Sequence, residues 1–499
     1  MKHLFLLALL ALSPMIFAMP AQAEVSAETC AANFAKMRVY YIMPRIFKDG
    51  TLDDVATALP DLKKMGVNTL WVGPPHPQTT YDDGLAGFNN HGYWPSNHAT
   101  VDEDLGGAPA FRRLLQTAEK IDVKIALDVV LNHFGFGFPE YKIGGKKIAV
   151  DNPKYFKVKE ADAPLIHPRE RELWALLENE RDPVKLKAYQ DELSRYPLFG
   201  LAALEHDNPA VAKYLINSYK KFVDEGVDIF RVDAPKHMRM SFLHKFTNEM
   251  TTHAAKSGRK LQFIWELLFD SPHTLNVFAG DVLSKVKDPK SILFMDFPLA
   301  KELRKLQDPA YSLENTWNFL RTRQKENHRM KNYIPMVENH DFEGPIKDKF
   351  RSNLIYALSE FTGEHPTILH HGSEVTGAAK DGRPLIKAVN PNGDKAQLLK
   401  SMSDVMADYR ALPDGTPLIP HYTTDGSLVL ERRISPERSI FIAANTTGKA
   451  GVKKIQLPRG AGSKLKVVAS DGDATLEMEK GRVDWKFTPN SMLVFEVTK

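Results

Sequence analysis

Residues 226–237 read Gly226-Val-Asp-Ile-Phe-Arg-Val-Asp-Ala-Pro-Lys-His237, and this segment decides the fold. Its centre, residues 229–232, is a short apolar run of β-forming residues, and Asp233 follows it immediately. Residues 209–226 are predicted to form a helix that leads into this run. A helix followed by a short apolar strand is the repeating unit of a parallel α/β sheet.

Seven further runs of the same kind lie on both sides of this segment. In chain order the eight predicted strands are residues 39–47, 69–72, 124–130, 229–232, 261–265, 292–295, 333–337 and 366–370. Between most of them apolar residues recur at helical spacing, as at Val55, Leu59 and Leu62. Eight strands that alternate with helices predict an α/β fold, a closed (β/α)8 TIM barrel.

Two departures from this alternation divide the chain. Residues 134–207, after strand 3, are too long for a loop and are predicted to form an inserted subdomain. Beyond Leu412 the apolar spacing changes to period two, which predicts a C-terminal antiparallel β-sandwich. The predicted domains are a signal peptide (1–23), the barrel in two parts (24–133 and 208–412), the insertion (134–207) and the sandwich (413–499).

Within the insertion, residues 168–194 are charged and helix-prone. We predict a solvated helical hairpin there, and a direct role in substrate binding is the alternative.

The first residues predict export to the periplasm or the medium. A leucine- and alanine-rich run follows Lys2 and ends near the small-x-small sequence Ala21-Gln-Ala23, as in a cleaved secretory signal. A membrane anchor would need roughly 20 unbroken apolar residues, and Pro14 and Pro20 interrupt this run.

The charge balance and the cysteine count narrow the function. The formal net charge is +4, and it falls to +3 when Lys2 is removed with the signal. So small an excess predicts neither a nucleic-acid nor a membrane partner. Cys30 is the only cysteine, so no intramolecular disulfide is expected.

Acidic residues are concentrated where the predicted barrel strands end, and this is where barrel enzymes build their active sites. The residues at these ends are Asp128 with Asn132 and His133, Asp233, Glu266, and Asn339-His340-Asp341; Arg231 lies on the strand before Asp233. Any one acid could simply cap a helix. Converging carboxylates, however, repel one another, so one retains a proton while a neighbour paired with arginine stays ionised. Glycoside cleavage requires such a pair.

At these residues the chain resembles the α-amylase superfamily, glycoside hydrolase family thirteen. Asp128-Val-Val-Leu-Asn-His133 resembles the first conserved region of that family, residues 226–237 the second, and Val337-Glu-Asn-His-Asp341 the fourth. Three motifs in the family's order are a specific signal, whereas Asn-His-Asp alone is weak.

The resemblance implies a role for each site residue. Asp233 would be the nucleophile, Glu266 the general acid/base, and Asp341 would hold sugar hydroxyls. The implied supporting residues are Asp128, Arg231, His133, His340, and the aromatic pair Tyr93 and Trp94 of His91-Gly-Tyr-Trp94. The two histidines and the two aromatic residues could instead be ordinary core residues.

The pattern departs from the family at two places. Trp265 replaces the glycine usual before the catalytic glutamate, so Glu266 is identified mainly by its position. Ala203 stands where calcium-binding members have an aspartate. Asn132 and the carbonyl of His237 could still bind Ca²⁺, with Asp207 as a substitute ligand, but calcium prefers six to eight oxygens. Calcium is therefore a possible cofactor and not an assured one.

Lys236 and His237 resemble the pair that contacts leaving-group sugars in α-amylases and cyclodextrin-forming transferases, although Lys236 could be a surface charge. From this pair we expect cleavage of α-1,4 bonds in starch-type glucans or maltodextrins. We expect hydrolysis rather than transfer, because there is no room for the extra C-terminal domains of cyclodextrin-forming enzymes. The alternatives are an α-glucan transglycosylase, a maltodextrin-specific glucosidase and, more remotely, a non-catalytic carbohydrate-binding protein.

Overall fold

The computed structural model describes residues 34–79, 91–157, 166–326, 330–342, 344–375, 388–412, 417–424, 426–458, 461–479 and 481–499. The predicted signal peptide, residues 1–23, lies outside these ranges. Within them, every helix is too short or too polar to cross a bilayer.

The strands and helices follow the predicted alternation. The strands are β1 (Val39–Ile42), β2 (Thr69–Val72), β3 (Lys124–Val129), β4 (His133–Phe134), β5 (Glu140–Ile143), β6 (Lys146–Ala149), β7 (Ala202–Ala203), β8 (Ile229–Val232), β9 (Gln262–Trp265), β10 (Ile292–Met295), β11 (Tyr333–Ile334), β12 (Leu369–His370), β13 (Ile419–Tyr422), β14 (Ser427–Ser435), β15 (Arg438–Asn445), β16 (Gly451–Gln456), β17 (Lys464–Asp471), β18 (Ala474–Glu479), β19 (Arg482–Phe487) and β20 (Ser491–Thr498). The helices are α1 (Leu52–Lys64), α2 (Gly107–Lys120), α3 (Pro168–Asn179), α4 (Pro183–Leu193), α5 (Pro209–Glu225), α6 (Met240–Ala255), α7 (Pro272–Leu283), α8 (Phe297–Arg304), α9 (Leu313–Glu326), α10 (Lys349–Thr362) and α11 (Asp394–Arg410).

Eight parallel strands form the barrel in the order β11-β10-β9-β8-β3-β2-β1-β12. A parallel bridge between Met336 and Ile368 joins the two ends of this sheet, where the Ile368 N–H donates to the Pro335 carbonyl at 2.9 Å. The predicted barrel is thereby confirmed. β11 is shorter than the predicted strand 333–337 because Pro335 has no N–H to donate to the sheet.

Strand side chains alternate between two buried layers. On β1, Val39 and Tyr41 point into the barrel, whereas Tyr40 and Ile42 pack against the surrounding helices. Because the strands are covered on both faces, they are mainly apolar, as the sequence runs indicated. The polar side chains of the site lie near the carboxyl ends of the strands or just beyond them, and Asp128 and Arg231 are paired within β3 and β8.

The insertion follows β3 and packs over the carboxyl end of the barrel. It contains the hairpin β5–β6, the helices α3 and α4, and β7, which pairs with β4 through His133 and Ala203. This pairing ties the far end of the insertion to the segment that carries His133.

The C-terminal module is the predicted antiparallel sandwich. A five-stranded sheet, β13-β14-β15-β20-β17, faces a three-stranded sheet, β16-β19-β18, across a core that includes Phe441, Trp485 and Phe495. β18 alternates strictly between the inward residues Ala474, Leu476 and Met478 and outward polar residues, the period-two pattern expected of this module.

Candidate active site

Neighbouring strands bring the predicted acids together. Asp128 on β3 is in register with Arg231 on β8. Beyond the strands, the Asp233 N–H donates to the Val129 carbonyl at 3.1 Å, and the Glu266 N–H donates to the Val232 carbonyl at 3.1 Å. Continued pairing of β3, β8 and β9 thus holds the three carboxylates in adjacent positions.

Arg231 lies at the centre of this group and is completely buried. Its Nη1 donates to Asp128 Oδ1 at 2.9 Å and to Asp233 Oδ1 at 3.0 Å, and its Nη2 forms an ion pair with Glu266 Oε1. The guanidinium also lies over the Trp71 ring, 4.8 Å from its centroid. A planar fork with several donors suits this arrangement in a way that a lysine ammonium would not.

The carboxyls have raised pKa values because they are buried close together. Burial raises the pKa of Glu266 to about 7, with the nearby charge of Asp341 adding to the effect and Arg231 opposing it. Burial raises the pKa of Asp233 as well, and the charge of Glu266 adds to it. Burial also raises the pKa of Asp128 to about 6. The group therefore retains a proton near neutral pH.

The backbone at Ala234 contributes a donor to the site. Ala234 adopts φ 46° and ψ 41°, a left-handed conformation that is uncommon for a residue with a Cβ. In this conformation its N–H donates to Glu266 Oε2 at 3.0 Å. The strained turn after β8 thus fixes the side chain of Glu266.

Asp341 is the most open of the predicted acids, with its side chain 38% exposed. Asn339 holds it from two sides: Asn339 Nδ2 donates to Asp341 Oδ2 at 3.2 Å, and the Asp341 N–H donates to Asn339 Oδ1 at 2.9 Å. Its charge raises the pKa of both Asp233 and Glu266. His340 stacks on Tyr93 with ring centroids 4.9 Å apart.

Tyr93 joins the site through its hydroxyl, which donates to Asp128 Oδ2 at 2.6 Å. His133 Nε2 lies 2.9 Å from the Tyr93 carbonyl, and its Nδ1 lies 3.3 Å from Asn132 Nδ2. Both ring nitrogens of His133 thus contact protein atoms, and a bond from His133 to a sugar stays a prediction. Trp94 is buried beside Phe136, Leu198 and Leu201, and its contact with a sugar stays a prediction.

The hairpin α3–α4 contacts the loop after β8. Lys236 Nζ donates to the Leu268 carbonyl at 3.1 Å and lies over the Trp174 ring, 5.5 Å from its centroid. Trp174 also meets the His237 ring edge-on at 6.1 Å. From α4, Gln190 Nε2 donates to the carbonyls of Lys236 at 3.1 Å and Met238 at 2.7 Å.

The hairpin is therefore not merely solvated, and Lys236 is not simply a surface charge. The sequence pattern alone does not single out Trp174 or Gln190. A tryptophan and several leucines within a highly charged helical stretch indicate that one helix face is buried, but they do not identify the element against which that face packs.

The two oxygens expected to bind calcium are occupied by a lysine. Lys157 Nζ donates to Asn132 Oδ1 at 3.1 Å and to the His237 carbonyl at 2.9 Å. Asp207 is not beside them: it pairs with Arg239 at 3.2 Å, and its side chain is 60% exposed. In the ranges that the structure describes, no cluster of three His, Cys, Asp or Glu side chains could hold a metal ion. As they are placed, these residues do not fit Ca²⁺, and calcium binding by the protein stays a prediction.

A closed eight-stranded barrel with grouped carboxylates and a shared arginine at its strand ends has the architecture of a barrel glycosidase. The family model described as "Alpha amylase, catalytic domain" matches residues 24–293. The chain belongs to this family of glycosidases, as the sequence motifs indicated.

Relatives within the family carry several names. A cyclomaltodextrin glucanotransferase of Klebsiella oxytoca is 24% identical over 83% of this chain and 67% of its own length. That of Paenibacillus macerans is 22% identical over 78% of this chain and 53% of its own length. The chain thus spans between about half and two thirds of these relatives.

Solved structures show the same fold over a larger share of both chains. An α-amylase from Geobacillus thermoleovorans, complexed with acarbose, has a TM-score of 0.71 at 21% identity and covers 93% of this chain and 99% of its own. CldA, described as a cyclomaltodextrin glucanotransferase with a three-domain distribution, has a TM-score of 0.73 at 20% identity with the same coverage.

Proposed function

We propose that this protein is a retaining α-glycosidase that cleaves α-1,4 bonds in starch-type glucans or maltodextrins through a covalent glycosyl-enzyme intermediate. The observation that supports it best is that Asp233 and Glu266 both bind the guanidinium of Arg231, which keeps the two carboxyls close together. Inverting glycosidases keep their carboxyls roughly 6.5–9.5 Å apart to admit a water, whereas retaining enzymes keep them closer.

In the first step an Asp233 carboxylate oxygen attacks the anomeric carbon as the glycosidic bond breaks. Glu266 transfers its proton to the departing oxygen. Its raised pKa suits this role, because a carboxyl with a pKa near 7 still carries a proton at neutral pH. Arg231 stabilises the attacking carboxylate, and Asp341 is open enough to bind sugar hydroxyls.

In the second step Glu266, now ionised, takes a proton from water. The water oxygen bonds to the anomeric carbon and Asp233 leaves, so the product keeps the α configuration. If a sugar hydroxyl takes the place of water, the same step is a transglycosylation.

Transglycosylation is therefore the second candidate, and the names of the relatives favour it. The size argument against it is wrong, because the three-domain CldA is matched over 99% of its length. Trp174 contacts both Lys236 and His237, where the leaving-group sugar or an acceptor sugar would bind. These contacts support a sugar-binding site there for both hydrolysis and transglycosylation.

The test is incubation of the protein with maltoheptaose and with soluble starch, beside Asp233→Asn. We expect short α-anomeric maltooligosaccharides from the wild type and a loss of at least 10³-fold in Asp233→Asn, with an unchanged circular dichroism spectrum. Products longer than maltoheptaose or cyclic products would favour transfer. Activity on sucrose, trehalose or α-1,6 bonds alone would overturn the linkage assignment.

Binding of maltoheptaose without turnover would favour the carbohydrate-binding alternative. The pairing of Asp233 and Glu266 on one guanidinium argues against it.

We also propose export, on the strength of the apolar run and the small-x-small site in residues 1–23. Amino-terminal sequencing of the protein recovered from periplasm or medium should begin at Glu24. Recovery of full-length protein in the cytoplasm alone would contradict this.

A further inference from the structure

Lys157 is a buried cation outside the group of reacting carboxylates. It is 7% exposed, and its ammonium donates to one side-chain oxygen and one backbone oxygen, those of Asn132 and His237. The partners are 25 and 80 residues away in the sequence. One ammonium thus joins three separate segments: the insertion, the loop after β3 and the loop after β8.

The backbone places this side chain firmly. The Lys157 N–H donates to the Ala203 carbonyl at 2.8 Å, and Ala203 pairs with His133 across β4 and β7. The backbone of Lys157 is thus fixed to the strand pair that carries His133.

The charges around Lys157 favour a cation. Glu205, Glu170 and Asp207 act on it as negative charges, and Arg239 is the opposing positive charge. The tests below are set at pH 6.

Both oxygens that bind the ammonium are close to catalytic groups along the chain. Asn132 precedes His133, whose ring contacts the Tyr93 carbonyl, and the Tyr93 hydroxyl donates to Asp128. His237 ends the turn that follows Asp233 and Ala234, and the Ala234 N–H fixes Glu266. A shift of either loop would therefore move groups that touch the reacting carboxylates.

We infer that the Lys157 ammonium takes the place of a structural cation: it is a positioning residue that fastens the insertion to the two catalytic loops, and the enzyme needs no calcium there. This inference rests on the proposed glycosidase function for its kinetic readout. Its binding and stability readouts do not depend on that function.

The first experiment compares the wild-type protein after dialysis against EDTA and after addition of CaCl₂. We expect no change in melting temperature or in kcat/KM on maltoheptaose, and no calcium binding heat by titration calorimetry. Loss of activity or melting temperature with EDTA, restored by calcium, would overturn the inference.

The second experiment removes the ammonium with Lys157→Met, which keeps the length of the side chain but leaves two oxygens without their donor. We expect kcat to fall roughly 10- to 100-fold, because small shifts of positioned groups cost about that much. KM should change less, since the groups that the two loops hold act in the chemical step. Lys154→Met, at an exposed position three residues upstream, is the matched control and should match the wild type.

The third experiment distinguishes positioning from simple loss of stability. Lys157→Ala leaves a cavity, and ethylammonium should restore its kcat in part, whereas ethanol of similar size should not. Restoration by ammonium compounds or by calcium supports a cation site, and equal kcat for Lys157→Met and Lys154→Met overturns it. If the wild type has no glucan activity, the proposed function fails, while the melting temperatures and calorimetry still decide the inference.

Discussion

At the scale of single residues, the site depends on one guanidinium that faces three carboxylates. Asp128, Asp233 and Glu266 bring three potential negative charges to the single positive charge of Arg231. The excess is relieved when a proton stays bound, and this is why burial and mutual repulsion raise the carboxyl pKa values. In the proposed mechanism this proton is the one that Glu266 transfers to the leaving group.

This proton predicts the pH dependence of the reaction. Glu266 must be protonated to act as an acid, and its pKa is raised to about 7. We expect kcat/KM on maltoheptaose to fall as the pH rises through about 7, since the acid form is lost there. A profile that stays flat from pH 6 to pH 9 would contradict the assignment of Glu266 as the acid.

The same residue predicts a pH-dependent stability. The pKa of Glu266 is raised from 4.5 in the unfolded chain to about 7 in the folded one, so protonation favours the folded state. This contribution is complete below pH 4.5 and is lost as the pH rises through about 7. Between pH 5 and pH 8 the wild type should lose roughly 1–3 kcal/mol that Glu266→Gln does not lose.

Denaturant unfolding at the two pH values measures this difference. The stability of Glu266→Gln relative to the wild type should increase from pH 5 to pH 8, whatever constant offset the amide introduces. Glu314→Gln, on the first turn of α9 and exposed, serves as the control for a general charge effect. Parallel pH curves for the wild type and Glu266→Gln would count against the raised pKa.

At the scale of elements, the hairpin α3–α4 packs against the loop after β8, which carries the residues proposed to contact leaving-group or acceptor sugars. Trp174 contacts both Lys236 and His237, and its indole N–H has no hydrogen-bond partner within the described residues. The indole nitrogen is buried, so the ring face is the part of Trp174 that the proposed function would place against the apolar face of a sugar.

Trp174→Ala should raise KM for maltoheptaose about tenfold, equal to about 1.4 kcal/mol of binding, with a smaller change in kcat. It should also reduce the share of transfer products, because an acceptor sugar loses its contact there. Product chromatography and initial rates measure both effects. Val184→Ser, at a position 76% exposed on the same hairpin, is the control. An unchanged KM would place the acceptor elsewhere.

At the scale of the whole molecule, the barrel and the sandwich share a continuous buried core. Leu428, Ile440 and Val494 of the sandwich belong to the same apolar cluster as the barrel helices. Arg432 of β14 crosses this boundary: it donates to the Thr362 carbonyl at 2.8 Å and pairs with Glu364 at 3.2 Å. The sandwich is therefore a structural part of the enzyme.

Arg432→Met should lower the free energy of unfolding by roughly 3–5 kcal/mol, because it leaves Glu364 buried without its cation. Denaturant unfolding monitored by tryptophan fluorescence measures this. Lys486→Met removes an exposed ion pair with Glu477 in the same module and should cost less than about 1 kcal/mol. Equal losses for the two variants would show that Arg432 does not join the two domains energetically.

The sequence by itself determined the barrel, the insertion, the sandwich and the acids at the strand ends. Strand and helix periodicities are local patterns, since both depend on residues a few positions apart. The position of Asp233 directly after β8 is equally local. In a parallel barrel, local position is enough to put a residue at the active-site end, whichever strand it follows.

Only the tertiary structure decided which distant groups meet. The bridge from Met336 to Ile368 closes the barrel, Trp174 covers Lys236, and Lys157 occupies the oxygens expected to bind calcium. None of these contacts has a periodic signature, because each joins segments whose separation in the chain carries no information about their distance in space. A buried ammonium and a bound cation need the same oxygens, so the folded geometry, and not the motif, decided between them.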